Sequence, residues 1–402
     1  MASPGFFART KLVNPAQSVS KDQDALRIGI LGAATIAPNA LIGPAKHSRS
    51  IVVVSIAARD QVKAKEYAEK NGIPNTHPTY EALIADPEID CIYNPLPNGL
   101  HYEWTRKALE AGKHVLLEKP AASNAFLTQQ LVDLARAKNL VLLEAFHYRF
   151  HPASIKFREL VLEEMKKEKV KVERVEAIMS FPQVFPKDDI RFRYNLGGGV
   201  TMDSGCYTVN AIRYFTNLPV YDVQSAHPRI VAEDPDVDGR MEMVLKLGKV
   251  GEGGGEGMRE RGIVEAKAVA SLTNPMWSLQ TWREYLPRVV VETEGKVLTF
   301  MVFLIPSLYH YITVKDKTTN TSETLKVYGE GYSTYKYQLD AFIKAVQHVR
   351  STRTSGTNAR DNHSCEDPEI LGIPGWVSGE DSVENMRVVD AIYKAAGMKL
   401  RV

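Results

Sequence analysis

The first 150 residues alternate short apolar runs with stretches of helical period. Leu26–Leu31 reads as an apolar strand, and Ile51–Ala58 is a β-branched run of the kind buried on both faces. Asp90–Tyr93, His114–Leu117 and Leu140–Glu144 repeat that texture. Between them the pattern predicts helices over Ile36–Lys46 (interrupted early by Pro38), Gln61–Asn71 (stopped by Gly72), Tyr80–Ala85, His101–Glu110 (closed by Gly112) and Ala125–Lys138. Strands alternating with helices imply right-handed crossovers and a parallel sheet. The expectation is an α/β domain of Rossmann type over residues 26–150, preceded by an extension of residues 1–25.

After Pro152 the texture changes. One helix, Ala153–Lys166, leads into long alternating runs at Val172–Phe181, Val220–Val231, Met241–Leu247, Ile263–Leu272, Val289–Thr293 and Tyr309–Val314. Few helices separate them, so residues 151–402 are expected to form an α+β domain on a large, mostly antiparallel open sheet with one solvent-averse face. That domain is assigned substrate binding and oligomerisation. Gly248–Gly262 reads as an exposed hairpin connection, Thr352–Gly379 as a long loop and Ser382–Ala396 as the closing helix.

Composition adds mostly exclusions. The chain has 402 residues, 44% hydrophobic and 24% charged, with net charge +2, so no global field recruits nucleic acid or a membrane. Its three cysteines, Cys91, Cys206 and Cys365, are too few and too widely spaced for a disulfide framework or a zinc site. His147 and His151 have metal-like spacing, but Pro152 follows and no acid stands in frame, so no metal is assigned. No signal-peptide core and no run of about 18 apolar residues is present, which makes the cytoplasm the expected address.

The candidate chemistry lies where strands end. Gly32-Ala33-Ala34-Thr35-Ile36-Ala37 follows the first strand. There Gly32 gives the turn, Ala34 keeps the approach to a pyrophosphate open, and Ala37 permits close helix–strand packing. Arg59, just past the second strand, offers a bidentate partner to a 2′-phosphate, favouring NADP; Asp60 beside it keeps NAD possible. Pro95-Leu96-Pro97-Asn98 stiffens the loop after the strand ending at Tyr93, with Asn98 and His101 either touching cofactor or serving the next helix as cap and loop anchor. Lys119, in Glu118-Lys119-Pro120, is an ammonium group at the end of an apolar strand, an unusual place unless something uses it. Asp203 and Tyr207 put an acid and a phenol four residues apart, one helical turn, after Gly197-Gly198-Gly199. Arg149 and His147 follow the last strand of the nucleotide domain, as pocket or hinge residues. Trp277, Trp282 and Tyr285 are candidates for covering a sugar face, packing the sheet or lining a dimer interface.

These segments resemble the glucose–fructose oxidoreductase/inositol dehydrogenase (Gfo/Idh/MocA) family. Gly32-Ala33-Ala34-Thr35-Ile36-Ala37, Asn98-x-x-His101, the stretch from Ala108 through Lys113-His114-Val115 to Glu118-Lys119-Pro120, Asp203-x-Gly205-x-Tyr207 and the closing Met386–Tyr393 all carry the likeness. Within the family, Glu144-Ala145-Phe146-His147-Tyr148-Arg149 is most similar to dimeric dihydrodiol dehydrogenases and NADP-dependent D-xylose 1-dehydrogenases. The resemblance implies cofactor binding by Gly32, Ala34, Thr35, Ile36, Arg59, Pro95, Asn98, His101, Glu118, Lys119 and Arg149. It also implies catalysis by Lys119, Tyr207 and Asp203. Tyr207 would take a hydroxyl proton while hydride passes to the nicotinamide. A free phenol titrates near 10, so the Lys119 ammonium would favour the phenolate, or Lys119 would itself move the proton. Asp203 would pair with Lys119, accept a sugar hydroxyl or cap its helix. The expected reaction is oxidation of an aldose, D-xylose or D-glucose, at C1 to the lactone, with dihydrodiol oxidation or dicarbonyl-sugar reduction as the alternative. A third reading, a dinucleotide-sensing regulator without catalysis, is disfavoured by Lys119, Asp203 and Tyr207 standing together. The partners expected are a small sugar or diol and a second copy, bound through the C-terminal sheet.

Overall fold

The computed structural model describes residues 4–13, 15, 18–167, 171–248, 263–274, 286–354 and 372–402. Trp277, Trp282, Tyr285, Cys365, most of the glycine-rich connection and most of the 352–379 stretch lie outside the described residues. The chain divides into two units, residues 1–151 with 328–383, and residues 152–327 with 384–402. The segment 328–383 thus joins the nucleotide-type unit, where a single boundary near residue 150 had been expected.

The first unit is built on six parallel strands: β1 (Leu26–Leu31), β2 (Ile51–Ala57), β3 (Asn75–His77), β4 (Cys91–Asn94), β5 (His114–Leu117) and β6 (Leu142–Glu144), in the order β3-β2-β1-β4-β5-β6. Every residue of β4 and β5 is buried, as a sheet covered on both faces requires. Leu31, Leu83, Ile92, Leu109, Val115 and Leu131 form part of one core between sheet and helices. The strand order reverses between β1 and β4, and in such sheets ligands collect there, outside the carboxyl ends of the strands. The helix expected over Ile36–Lys46 is a π-turn, Pro38–Ile42, continued by an α-turn, Gly43–Lys46. Proline lacks the amide that would close a regular turn. The leading extension contains a helix, Phe6–Val13, whose Arg9 guanidinium lies 3.6 Å from the ring centroid of Tyr328.

The second unit carries an eight-stranded sheet made of β7 (Val172–Pro182), β8 (Val220–Val231), β9 (Asp234–Leu247), β10 (Val264–Asn274), β11 (Arg288–Thr293), β12 (Lys296–Met301), β13 (Tyr311–Asp316) and β14 (Ser322–Leu325). The order is β14-β13-β12-β11-β7-β10-β9-β8, antiparallel except for the β7–β10 pair. Met243, Leu245, Ala266, Ala268, Val289 and Val291 are buried on one face. Phe157, Phe215 and Phe300 meet there with centroids 4.9–6.1 Å apart, joining the helices Pro152–Met165 and Cys206–Thr216 to β12. The other face is laced with cross-strand ion pairs, among them Arg174–Glu292 and Arg288–Glu176, both at 3.2 Å. Among the described residues, no helix is long and apolar enough to cross a membrane.

Candidate active site

In the first unit the candidate residues gather at the carboxyl edge of the parallel sheet. Gly32 follows β1 with φ +84° and donates its N–H to Ala57 O at 2.7 Å. A Cβ there would stand 2.9 Å from Leu96 Cδ2, so both backbone and space select glycine. Ala34 turns its carbonyl to the Tyr67 hydroxyl, 2.8 Å away, and burial pushes that phenol up to about 12. Thr35 and Ile36 form the turn into the π-helix, and Ala37 is fully buried beneath it. Past β2, Arg59 is exposed. Asp60 is occupied otherwise: its carboxylate caps the helix Gln61–Asn71, accepting from Val62 N at 3.0 Å and Lys63 N at 3.2 Å.

Pro95 is buried, and Asn98 opens a 3₁₀ turn, Asn98–Leu100. Of the two roles open to Asn98, the N-cap position of the helix His101–Glu110 falls to Leu100, with no side-chain hydrogen bond. His101 is fully buried, with Nδ1 2.7 Å from Pro120 O and Nε2 2.7 Å from Leu96 O. It ties the loop after β4 to the loop after β5. Burial drives its pKa down to about 4, with the Lys119 charge adding to the effect, so the ring is neutral and donates to one carbonyl at a time.

Lys119 is half-buried and its loop is anchored on both sides. The Tyr93 hydroxyl donates to Glu118 Oε1 at 2.7 Å, and Ala121 N–H donates to Glu144 Oε1 at 2.8 Å. The Lys119–Pro120 bond is cis. Glu144 is 2% exposed, and burial pushes its carboxyl up to about 7. The Lys119 charge also reaches His147, whose pKa is driven down to about 3, chiefly by burial. His147 Nδ1 lies 2.8 Å from Thr334 Oγ1, and its ring packs 4.1 Å from Tyr335. Arg149 is turned to the segment 375–381: Nε donates to Gly375 O at 3.2 Å, Nη2 to Trp376 O at 2.6 Å, and Nη1 pairs with Asp381.

The second unit presents Asp203 and Tyr207. Asp203 sits in a π-turn, Thr201–Gly205, that runs into the helix Cys206–Thr216, and Tyr207 is 4% exposed. The turn takes Val200 as its N-cap with no side-chain hydrogen bond, so the cap reading of Asp203 gives way to an ionic one. Its Oδ2 lies 3.3 Å from Arg191 Nε, while Arg191 Nη1 lies 3.0 Å from Asp189 Oδ1 and the guanidinium covers the Phe185 ring at 4.1 Å. Sequence reasoning passed over Arg191, Tyr93 and Glu144. Arg191 stood in the Asp188–Arg193 charge run, but no periodicity marks it; Tyr93 and Glu144 read as ordinary strand ends.

Comparison with known proteins agrees with this architecture. Residues 26–146 match the oxidoreductase family described as "NAD-binding Rossmann fold" and residues 170–253 match the Gfo/Idh/MocA C-terminal domain. The chain is 32% identical over 374 residues to D-xylose 1-dehydrogenase (NADP(+)) 2 of Haloferax volcanii, spanning 92% of this chain and 97% of that protein. It is 38% identical over 168 residues to trans-1,2-dihydrobenzene-1,2-diol dehydrogenase of Xenopus tropicalis, 41% of this chain and 48% of the relative. In fold it is similar to a 3-ketoreductase from Actinomadura kijaniata, solved with NADP and TDP-benzene, with TM-score 0.72, 24% identity and coverage of 92% and 98% of the two chains. Two matched domains in sequence order and a relative aligned across nearly its whole length lead to one assignment: the chain belongs to the Gfo/Idh/MocA family of NAD(P)-dependent oxidoreductases.

Proposed function

We propose that this oxidoreductase uses NADP to oxidise an aldose, D-xylose or D-glucose, at C1 to the lactone. The observation that carries the reading is the alignment with an NADP-dependent D-xylose 1-dehydrogenase through both units. The shorter alignment with a dihydrodiol dehydrogenase supports trans-dihydrodiol oxidation as the second reading.

The residues fit a dinucleotide. Gly32 leaves the space a Cβ would fill, and the occupied Asp60 carboxylate leaves Arg59 to meet a 2′-phosphate. Gly32, Ala34, Thr35 and Ile36 would hold the pyrophosphate; Pro95, Asn98, Glu118 and Lys119 would line its nicotinamide end, with His101 tying the loops that carry them and Arg149 holding the segment after the last strand. Bound NADP supplies the acceptor for the electron pair leaving C1.

The chain's own residues manage the proton. Tyr207 Oη takes it from the substrate hydroxyl, and the Lys119 ammonium favours the phenolate that can do so. The low pKa of His101 and His147 leaves both rings uncharged, so neither competes as a cation in the Lys119 region. The Asp203 carboxylate, paired with Arg191, accepts a hydroxyl from the sugar. A homodimer through the charged outer face of the eight-stranded sheet completes the proposal; rows of alternating sign on one face can match their own copy.

Tyr207→Phe tests the assignment. Turnover should fall about 10²–10⁴-fold, the usual range for a lost acid–base group, with NADP affinity unchanged. Undiminished turnover removes Tyr207 from the chemistry.

A further inference from the structure

The second unit buries a charge pair that the proposed reaction does not use. Arg401 and Asp238 have fully buried side chains, with Nη2 3.0 Å from Oδ1. Two charges taken out of water are tolerated only when their remaining donors and lone pairs are met. Here they are met closely. Asp238 Oδ2 accepts the Thr201 N–H at 2.8 Å and the Thr201 hydroxyl at 2.5 Å, and Oδ1 accepts the Tyr393 hydroxyl at 3.1 Å. Arg401 Nε donates to Gly198 O at 2.7 Å and Nη1 to Lys399 O at 2.9 Å, while the Tyr393 ring lies 4.2 Å from the guanidinium.

The backbone passes directly over this pair, and only glycine lets it. At Gly199, φ is +125° and a Cβ would stand 2.3 Å from Asp238 Oδ1 and 2.7 Å from Arg401 Nη2. From that point two hydrogen bonds lead to the candidate site. Gly199 N–H donates to Arg191 O at 2.8 Å, fixing the residue whose side chain meets Asp203; Asp203 N–H donates to Gly199 O at 3.0 Å. Thr201, held by Asp238, is the first residue of the π-turn that ends at Tyr207's helix. An apolar pair of equal volume would fill the same core, yet it would offer nothing to the Gly198 carbonyl or the Thr201 amide.

We infer that Arg401 and Asp238 are positioning residues that set the Gly198–Gly205 turn and thereby aim Asp203 and Tyr207. The inference rests on the roles proposed above for those two residues, so its test needs a readout that does not depend on turnover. Arg401→Met and the milder Thr201→Val are compared with the unmodified protein by amide hydrogen exchange over residues 198–207. Turnover, KM and NADP affinity are measured alongside, with kcat expressed per NADP-binding site. Arg401→Met is expected to speed exchange across 198–207 by at least about tenfold, the equivalent of one lost hydrogen bond. It should also lower kcat per site about 10²-fold, the effect of a displacement near 1 Å, with NADP affinity within about twofold. Thr201→Val should shift both in the same direction by about tenfold. Loss of folded protein alone would lower NADP sites and turnover together and leave kcat per site intact, which overturns the inference. So does unchanged exchange in Arg401→Met, or, where that variant does not fold, unchanged exchange and kcat in Thr201→Val. If the unmodified protein oxidises neither sugar nor diol, the catalytic reading fails, while the exchange data still decide the positioning one.

Discussion

Replacing Glu144 by glutamine removes a titration that falls near neutral pH beside the Lys119 loop. The carboxyl is 2% exposed and lines a small cavity with Leu117, Thr128, Leu131, Leu142 and Ser382. Burial raises its pKa from 4.5 to about 7, against the Ser382 hydroxyl, the Ala121 amide and Arg149, which favour the charged form; Asp381 adds to the rise. The folded protein therefore keeps a proton here that the unfolded chain releases near 4.5. Between those two values the folded state binds more protons, so this group's contribution to stability falls as pH rises. At about 1.4 kcal/mol per pH unit, the loss across the window is about 3 kcal/mol, complete above pH 7. Glutamine keeps an acceptor for the Ala121 N–H and never ionises. Urea midpoints and slopes measured for both proteins between about pH 4.5 and about pH 9 give the difference directly. Glu144→Gln should gain on the natural protein through the window and level off above pH 7. A difference that does not change with pH would refute the reasoning, because a charge-free carboxyl and an amide would then have equal standing at every pH.

Arg59→Ala should raise the KM for NADP by roughly ten- to hundredfold, the weight of a hydrogen bond to a charged group, and leave that for NAD nearly unchanged; parallel titrations check it, and equal effects would discard the 2′-phosphate role. Gly32→Ala should destabilise the first unit by about 1–2 kcal/mol for the left-handed backbone alone and weaken NADP binding, as thermal melts and fluorescence titration would show. His101, with its pKa lowered to about 4, and His147, to about 3, both resist protonation when folded. Stability must therefore drop as pH falls below their ordinary 6.5, and His101→Gln should flatten that slope between 6.5 and 4 in denaturation measured against pH.

The strands that were legible in the sequence are those whose side chains alone say enough. β1, β2, β4 and β5 are apolar because both faces are covered, and the alternation along β9 follows from one covered face. β3 is polar and β14 is nearly all exposed; backbone pairing orders them, and composition carries no trace of it. The return of 328–383 to the first unit was equally silent, since its reason is a set of partners far away, such as Thr334 for His147 and Asp381 for Arg149. The same distinction runs through the site. Lys119 announced itself by its place at a strand end, and Arg59 by following another. The residues that hold the Lys119 loop in order, Tyr93 for Glu118 and Glu144 for Ala121, lie 25 and 23 residues away and have meaning only after folding. Arg401 and Asp238, separated by 163 residues, are the extreme case.

The most direct test of the proposed activity is reduction of NADP, followed by absorbance, with D-xylose, D-glucose and a trans-dihydrodiol in parallel, the product identified by NMR. The account predicts lactone formed one-for-one with NADPH from an aldose, faster with NADP than with NAD. Turnover of the dihydrodiol alone, or tight NADP binding without oxidation of any of the three, would contradict it.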